Sequence, residues 1–353
     1  PDQWDDLDSP KTIDGIIHAL ADGGHEAEFF EASILPPHNL VEKLIRFKPD
    51  LCFNIAEGHF GDSRESQIPA VLEMLGIPYT GSRVMTLALA LDKPMTKRVL
   101  WYHGLPTPTF QVFERPDDPV DDDLLDEGGE LRFPLFVKPS REGTSMGVSA
   151  ESIVHTVAQL RAQVEKQIQR YNQPILCERF IKGREITIGM LGNLEPTAAR
   201  RISERTAPHV LPDTLHFFPP LEIDLGAYDP SQAGLYTNYM KVELAEDFRY
   251  LCPAPLAPAM EHRLKALAAA VFRVIGCKDV SRVDFRLDET DDDKPYILEV
   301  NPLPGLNPIY SDLCVQARSA GWTYAQLINA IVDTAVARHR LAQASNGRRV
   351  FSR

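Results

Sequence analysis

The residues whose types and spacing could do chemistry lie late in the chain, in Leu298-Glu299-Val300-Asn301-Pro302-Leu303-Pro304-Gly305, with Arg282-Val283-Asp284-Phe285 just upstream. Val280–Leu287 and Tyr296–Val300 alternate as adjacent strands of a hairpin do. Glu299 and Asn301 are two apart on an extended segment and leave by the same face. Asp284 reaches that face from the partner strand. Two carboxylates and an amide oxygen at a strand end suit Mg²⁺, a hard cation that shares its shell with substrate phosphates. Taken alone, the three read first as a pair of surface carboxylates and an amide on an exposed hairpin. The rest of the chain shifts that weight.

A second constellation is Val137-Lys138-Pro139-Ser140-Arg141-Glu142-Gly143-Thr144-Ser145-Met146-Gly147-Val148. Strand, Gly/Ser/Thr turn and strand can cradle phosphates with backbone N–H groups and hydroxyls. A Gly-rich turn is more often only a turn, and Lys138 at its base brings the two readings level. Cys177-Glu178-Arg179-Phe180-Ile181, followed by Glu185, could offer backbone groups to an adenine edge and a carboxylate to ribose hydroxyls. A strand of polar alternation explains it as well. Lys93 and Lys138 sit at the bases of elements that could frame one cleft. Arg282, on the face of Asp284, could hold a carboxylate or a transferring phosphoryl group; exposed salt bridges are the alternative for each. No Walker loop, G-x-S-x-G, H-E-x-x-H or dinucleotide fingerprint is present. The ten histidines are scattered without ligand spacing, and His59 reads as incidental.

The elements that must position these residues follow from pattern. Thr12–Ala21, Asn39–Phe47 and Gln67–Leu75 are helical, and Glu26–Phe30 and Asp50–Ile55 read as strands of a small parallel α/β domain. The polar loop from Ala56 to Gln67 follows a strand end, where ligands of open α/β sheets bind. Asp92 caps a helix through His103. Arg115–Glu130 is a linker-like loop. Then come strands Leu135–Lys138, Gly147–Ala150, Ile175–Phe180, Glu185–Leu191 and Glu195–Arg201, interrupted by a helix over Ser152–Arg170. This is an α+β layer with an antiparallel sheet. Ser203–Met240 is long and irregular, as lids are. Pro258–Ile275 and Tyr324–Leu341 are helices, and Ala344–Arg353 is a tail.

Composition narrows the class. The 353 residues suit roughly two to three domains. With 25% charged and 44% apolar residues, this is an ordinary globular chain. A net charge of −13 disfavours nucleic acid and anionic membrane as partners. Five cysteines without a C-x-x-C pair read as reduced core thiols of a cytoplasmic protein. No apolar run approaches the roughly 20 residues of a membrane span, and no signal peptide is visible. The chain opens on Pro1 without Met, consistent with further sequence upstream.

Taken together, Pro78-Tyr79-Thr80-Gly81-Ser82, Leu91-Asp92-Lys93, Val137–Gly147, Cys177–Glu185, Cys252-Pro253-Ala254, Arg282–Asp284 and Leu298–Gly305 resemble the ATP-grasp superfamily, and within it the D-alanine–D-alanine ligase family. The resemblance implies three domains: residues 1–91 as an N-terminal parallel α/β domain, and 92–182 and 183–353 as central and C-terminal antiparallel α+β domains clamping ATP. An omega-type loop is expected at 203–240. It further implies ATP contacts from Lys93, Lys138, Ser140, Gly143, Ser145, Glu178, Phe180, Ile181, Glu185 and Lys241. Asp284, Glu299 and Asn301 would hold Mg²⁺, two ions by expectation, with Mn²⁺ able to substitute. Arg282, the N–H of Gly305, Thr144 and Tyr239 are the implied catalytic set. The implied chemistry is attack of a carboxylate on the γ-phosphate, then displacement of phosphate by an amine. A homodimer is expected from the resemblance alone.

The departures fall on the amino-acid side. Where the ligases have H-G-x-x-G-E-D-G, this chain reads Glu57-Gly58-His59-Phe60-Gly61-Asp62-Ser63-Arg64-Glu65-Ser66, and after Gly305 it reads Leu306-Asn307-Pro308-Ile309-Tyr310-Ser311. Glu57, Glu65, Asn307, Tyr310 and Ser311 are therefore the candidate residues for amino-acid or small-peptide substrates. The family's N-terminal Gly-rich turn and glutamate are not visible, with Asp6 or Asp8 the acidic residue near that place. The expected function is an ATP-dependent carboxylate–amine ligase with an altered amino-acid site. A D-alanine–D-alanine ligase of peptidoglycan synthesis is the alternative. A non-catalytic nucleotide-binding protein ranks last, because Lys93, Lys138, Asp284 and Glu299 are all present.

Overall fold

Ser9 starts the first helix by accepting the Thr12 N–H on its side chain, and Pro10 occupies the first turn, where no N–H is needed. The computed structural model describes residues 8–122, 129–143, 145–196, 202–203, 210–224 and 250–345. Its first part comprises α1 (Pro10–Asp22), α2 (Leu40–Phe47), α3 (Gln67–Leu75) and α4 (Val84–Leu91). The expected parallel pairing here is a single bridge, Cys52 to Tyr79. Glu26–Phe30 takes no strand pairing; Phe30 packs edge-on against Phe47 instead.

Asp92 begins α5 (Lys93–Tyr102) as expected, its side chain accepting the Met95 N–H. The first sheet follows: β1 (Phe110–Phe113), β2 (Leu135–Pro139), β3 (Ile153–Val154) and β4 (Ile175–Arg179), in the antiparallel order β1-β4-β2-β3. Gly147–Ala150 is not the expected strand. Ser149 and Ser152 form a capping box around a short helical turn, Ala150–Ser152, because their hydroxyls satisfy the backbone locally. The next helix, α6 (Val157–Tyr171), starts later than expected because Thr156 caps it and Ile153–Val154 pair with β2. Leu135, Val137, Ile175 and Cys177 meet Leu160 and Val164 of α6 in one core. Phe136, Lys138 and Glu178 therefore leave by the opposite face.

The second sheet is built from β5 (Glu185–Gly192), β6 (Leu215–Phe217), β7 (Leu221–Ile223), β8 (Tyr250–Leu251), β9 (Val280–Asp288) and β10 (Lys294–Asn301). Its order is β10-β9-β5-β7-β8, with β6 also on β5. Part of the expected irregular stretch Ser203–Met240 is thus sheet, because Leu215, Leu221 and Ile223 are buried. Residues 204–209 and 225–240 lie outside the described residues, as do 197–201 of the expected strand Glu195–Arg201. Helix α7 (Pro258–Ile275) covers one face, its buried run Ala266–Phe272 packing with Ile186, Ile188, Val283, Phe285, Ile297 and Val300. Each such large apolar side chain contributes about 1.5–3 kcal/mol on burial. Helices α8 (Asp312–Ser319) and α9 (Tyr324–Ser345) complete the chain, α9 packing with α1. All five cysteines are free thiols.

One irregularity shapes the site. β10 pairs with β9 in a register that shifts by one residue between Ile297 and Glu299. Leu298 is the extra residue, a β-bulge. Before it, Pro295 and Ile297 are buried; after it, Val300 is. Glu299 and Asn301 are therefore turned to the face opposite α7.

Candidate active site

The bulge sets Glu299 directly across from Asp284 and Asn301 across from Arg282, while β5 sets Thr187 across from Asp284 on the other side. Thr187 donates to one Asp284 oxygen at 2.8 Å and the Asn301 amide to the other at 2.9 Å. Arg282 lies between Asp312 at 2.6 Å and Asp284 at 3.3 Å. Gly189 lets α8 come this close, since a Cβ there would meet Gln316 and Leu313 at 2.5 and 2.7 Å. Burial pushes the Asp284 carboxyl up to about 6; Arg282 opposes that, while Asp312 and Glu299 add to it.

Across the cleft, helix α5 presents two lysines one turn apart. Lys93 reaches Glu299 at 2.9 Å and donates to the Glu142 carbonyl at 2.6 Å. Lys97 is fully buried and sits 2.6 Å from Glu178, whose other oxygen is 2.6 Å from Lys138. Burial works to raise the Glu178 carboxyl, but the two lysines outweigh it and hold it below its ordinary value. Burial lowers Lys97, with Glu178 opposing. Thr107 accepts from Lys97 and donates to the Ile297 carbonyl, tying this cluster to β10.

The expected ATP and metal residues are therefore brought together. Lys138 and Glu178 lie on the face of the first sheet turned from α6, Asp284, Glu299, Asn301 and Arg282 on the face of the second turned from α7, and Lys93 joins them from α5 through Glu299. Ser140 is buried, and its hydroxyl finds no hydrogen-bond partner among the described residues. Gly143 and Ser145 belong to the hairpin turn, whose Gly143 carbonyl takes the Met146 N–H. Ile181 is buried, and Phe180 packs 6.3 Å from Phe136, ring to ring. Glu185 is paired with Arg286, its neighbour on β9. Thr144, Tyr239 and Lys241 lie outside the described residues.

The amino-acid side differs more from expectation. Glu57 and Glu65 are half-buried in the loop before α3. Asn307 is buried, with its amide on Thr12 of α1, and its backbone N–H is held by the Ser311 hydroxyl. Ser311 also starts α8. Gly305 is exposed in the turn after β10, and the half-exposed Tyr310 offers its carbonyl to the Tyr250 hydroxyl. Burial raises the Tyr310 hydroxyl and nearby Asp8 adds to that, while burial pushes Asp8 itself to about 6.

Lys97, Thr107, Thr187 and Asp312 were not foreseen. A signal existed for Lys97, which is four residues after Lys93 and so shares its helix face. Thr187 and Asp312 depend on pairing across the sheet and on helix docking, which no local pattern carries.

Among the described residues, no three His, Cys, Asp or Glu side chains gather as a metal cage. The donor set fits Mg²⁺ all the same, because that ion takes one or two carboxylates and completes its shell with phosphate and water. The folded chain holds the Asp284 proton more tightly than an unfolded chain at its ordinary 3.8. This carboxyl therefore contributes stability that is lost as pH rises through about 6, and a cation there offsets the loss. Below about pH 6 a proton competes with the cation. Mg²⁺ affinity measured by calorimetry is expected to level off above about pH 7 and to fall by up to about tenfold per unit below 6. Equal affinity at both ends of that range would remove Asp284 from the ligand set.

No helix among the described residues is long and apolar enough to cross a membrane. The family model for the D-ala D-ala ligase C-terminus matches residues 99–214 and 224–333. D-alanine–D-alanine ligase B of Chromobacterium violaceum is 34% identical over 91% of this chain and 90% of its own. An uncharacterized protein of Sinorhizobium fredii, y4sG, is 34% identical over 93% of this chain and 88% of its own. The crystal structure of the D-alanine–D-alanine ligase of Bacillus anthracis complexed with ATP shares the fold. Its TM-score is 0.70 at 23% identity, covering 95% of this chain and 97% of that one. With the ATP-grasp architecture and a family model matched over most of its length, this chain belongs to the D-alanine–D-alanine ligase family.

Proposed function

We propose that this ATP-dependent carbon–nitrogen ligase joins an amino acid or small peptide to an amine partner, with at least one substrate other than D-alanine. The observation that carries this is the contrast between the two sides of the cleft. The phosphate side is assembled, with Lys93 2.9 Å from Glu299 and Glu178 between Lys138 and Lys97. On the other side, Asn307 and Ser311 are engaged with α1 and with each other, and Tyr310 adds bulk.

In the reading proposed, Lys93 and Lys138 neutralise phosphoryl oxygens, and Lys97 keeps Glu178 ionised and fixed against Lys138. Asp312 and Asp284 aim the Arg282 guanidinium at the substrate carboxylate and the acyl phosphate formed from it. Bound at Asp284, Glu299 and Asn301, Mg²⁺ supplies charge neutralisation for the γ-phosphate, with two ions and Mn²⁺ substitution as part of the proposal. The carboxylate oxygen takes the γ-phosphoryl group and ADP leaves. The amine nitrogen then attacks the acyl carbon, phosphate leaves, and the amine loses a proton. The Gly305 N–H faces the developing oxyanion. Thr144 and Tyr239 complete the catalytic set, and Ser140, Gly143, Ser145, Phe180, Ile181, Glu185 and Lys241 complete it around the nucleotide. Division at 91/92 and 182/183, a homodimer and a cytoplasmic location belong to the same proposal.

A second reading is favoured by the names of the relatives: synthesis of D-alanyl-D-alanine itself. Phosphate release from ATP and Mg²⁺ across D- and L-amino acids and dipeptides, with products identified by mass, separates the two. Turnover confined to another substrate pair is expected. Robust dipeptide formation from D-alanine alone would install the second reading.

A further inference from the structure

Two arginines cross between the loop at 57–66 and the phosphate-side hairpin. From the loop, Arg64 donates through Nη1 to the Arg141 carbonyl at 2.7 Å, and its Nη2 lies 3.5 Å from the Glu142 carboxylate. From the hairpin, Arg141 reaches back to Asp62 at 2.9 Å, and its Nε donates to Asp92, the cap of α5, also at 2.9 Å. Arg64 is buried, 8% exposed, although it belongs to a surface loop. That loop is closed on itself: Gly58 has φ +73, and a Cβ there would stand 2.5 Å from the Arg64 carbonyl. The guanidinium is therefore presented from a tight turn.

What Arg64 grips is placed by two other groups. The second Glu142 oxygen accepts from Gln173 at 2.6 Å, and the Glu142 carbonyl accepts from Lys93 at 2.6 Å. Lys93 in turn meets Glu299. A buried, charge-assisted contact holds geometry far better than an exposed pair. The Asp62 contact, with its carboxylate 80% exposed, adds little by comparison.

We infer that Arg64 is a positioning residue that clasps the phosphate-side hairpin 140–143 to the loop on the amino-acid side, so that the hairpin's backbone and Lys93 are preset for nucleotide. This rests on the ligase reading of the cleft. Arg64 acts through Glu142 and the Arg141 carbonyl. It also makes the loop's position, and hence whatever that loop binds, felt at the nucleotide.

The test uses the full chain with Mg²⁺ and the non-hydrolysable nucleotide AMP-PNP. Calorimetry gives its Kd, and hydrogen exchange reports on residues 140–148. Arg64→Ala is expected to weaken AMP-PNP about tenfold and to raise exchange in the hairpin while the strands of the first sheet stay protected. Arg64→Lys, which keeps the charge but not the fork, should recover part of the loss. Glu142→Gln, at a carboxylate 19% exposed, keeps the fold in hand should the Arg64 variant prove unstable. It should weaken AMP-PNP about threefold alone and add nothing in the Arg64→Ala background, the signature of one shared contact. Strict additivity of the two, or unchanged Kd and exchange in Arg64→Ala, overturns the clasp while leaving the ligase reading in place. Failure of the wild-type chain to bind AMP-PNP overturns both.

Discussion

Glu299→Gln is expected to leave the chain folded and to cut ATP turnover by about 10²–10³-fold. The side chain is 31% exposed and its neutral isostere fills the same space, so no buried cavity or orphaned core group results. What is lost is the carboxylate that pairs with Lys93 and stands across from Asp284. Steady-state phosphate release, read beside a thermal unfolding scan, checks both halves. Turnover within tenfold of wild type would mean that the cleft face of β9 and β10 is not where the phosphoryl group is held.

The largest expected loss of stability lies elsewhere, at Asp279. It is fully buried and takes the Gly81 N–H at 2.9 Å, the Asn193 amide at 2.9 Å and two nitrogens of Arg338 at 2.8 and 2.9 Å. Arg338 also donates to the Tyr79 and Gly81 carbonyls. This knot ties α9 and the start of β9 to the Tyr79–Gly81 turn. Asp279→Ala leaves a buried guanidinium unpaired and is expected to cost about 3–5 kcal/mol, or about 10 °C in Tm at 2–4 °C per kcal/mol. Asp279→Asn should cost less, because asparagine tolerates the residue's φ of +60 and still accepts a hydrogen bond. A Tm within two degrees of wild type for the alanine variant would show that the knot contributes nothing net.

How much of this was legible beforehand depends on how far apart the determinants lie. Asp92 declared itself as a cap because capping is local, and Pro258–Ile275 because its apolar period is sustained over eighteen residues. Asp284, Glu299 and Asn301 were legible as one face because alternation within a strand is a two-residue rule. Gly147–Ala150 misled because Ser149 and Ser152 compete for the backbone with their own hydroxyls. Glu26–Phe30 looked like a strand, yet pairing needs a neighbour in register, which a single segment does not announce. Asn307 and Ser311 were candidates from their place after Gly305; the bond of the Asn307 amide to Thr12 was not legible, because it depends on tertiary docking. Thr187 and Asp312 were missed for the same reason, whereas Lys97 carried a helix-face signal.

The single extra residue at Leu298 has a consequence for how this strand can vary over time. β10 serves two masters in succession: its first half feeds the core with odd-numbered side chains, its second half feeds the cleft with them. What separates the two halves is a count, not a chemical identity. Many apolar residues could stand at 298 and keep the phase. Loss of that one position would slide the second half out of step, sending Glu299 and Asn301 toward α7 and Val300 toward the cleft, although none of the three had been substituted. The length of this strand is thus under a stricter constraint than the composition of its middle, and the cleft face is inherited as a reading frame.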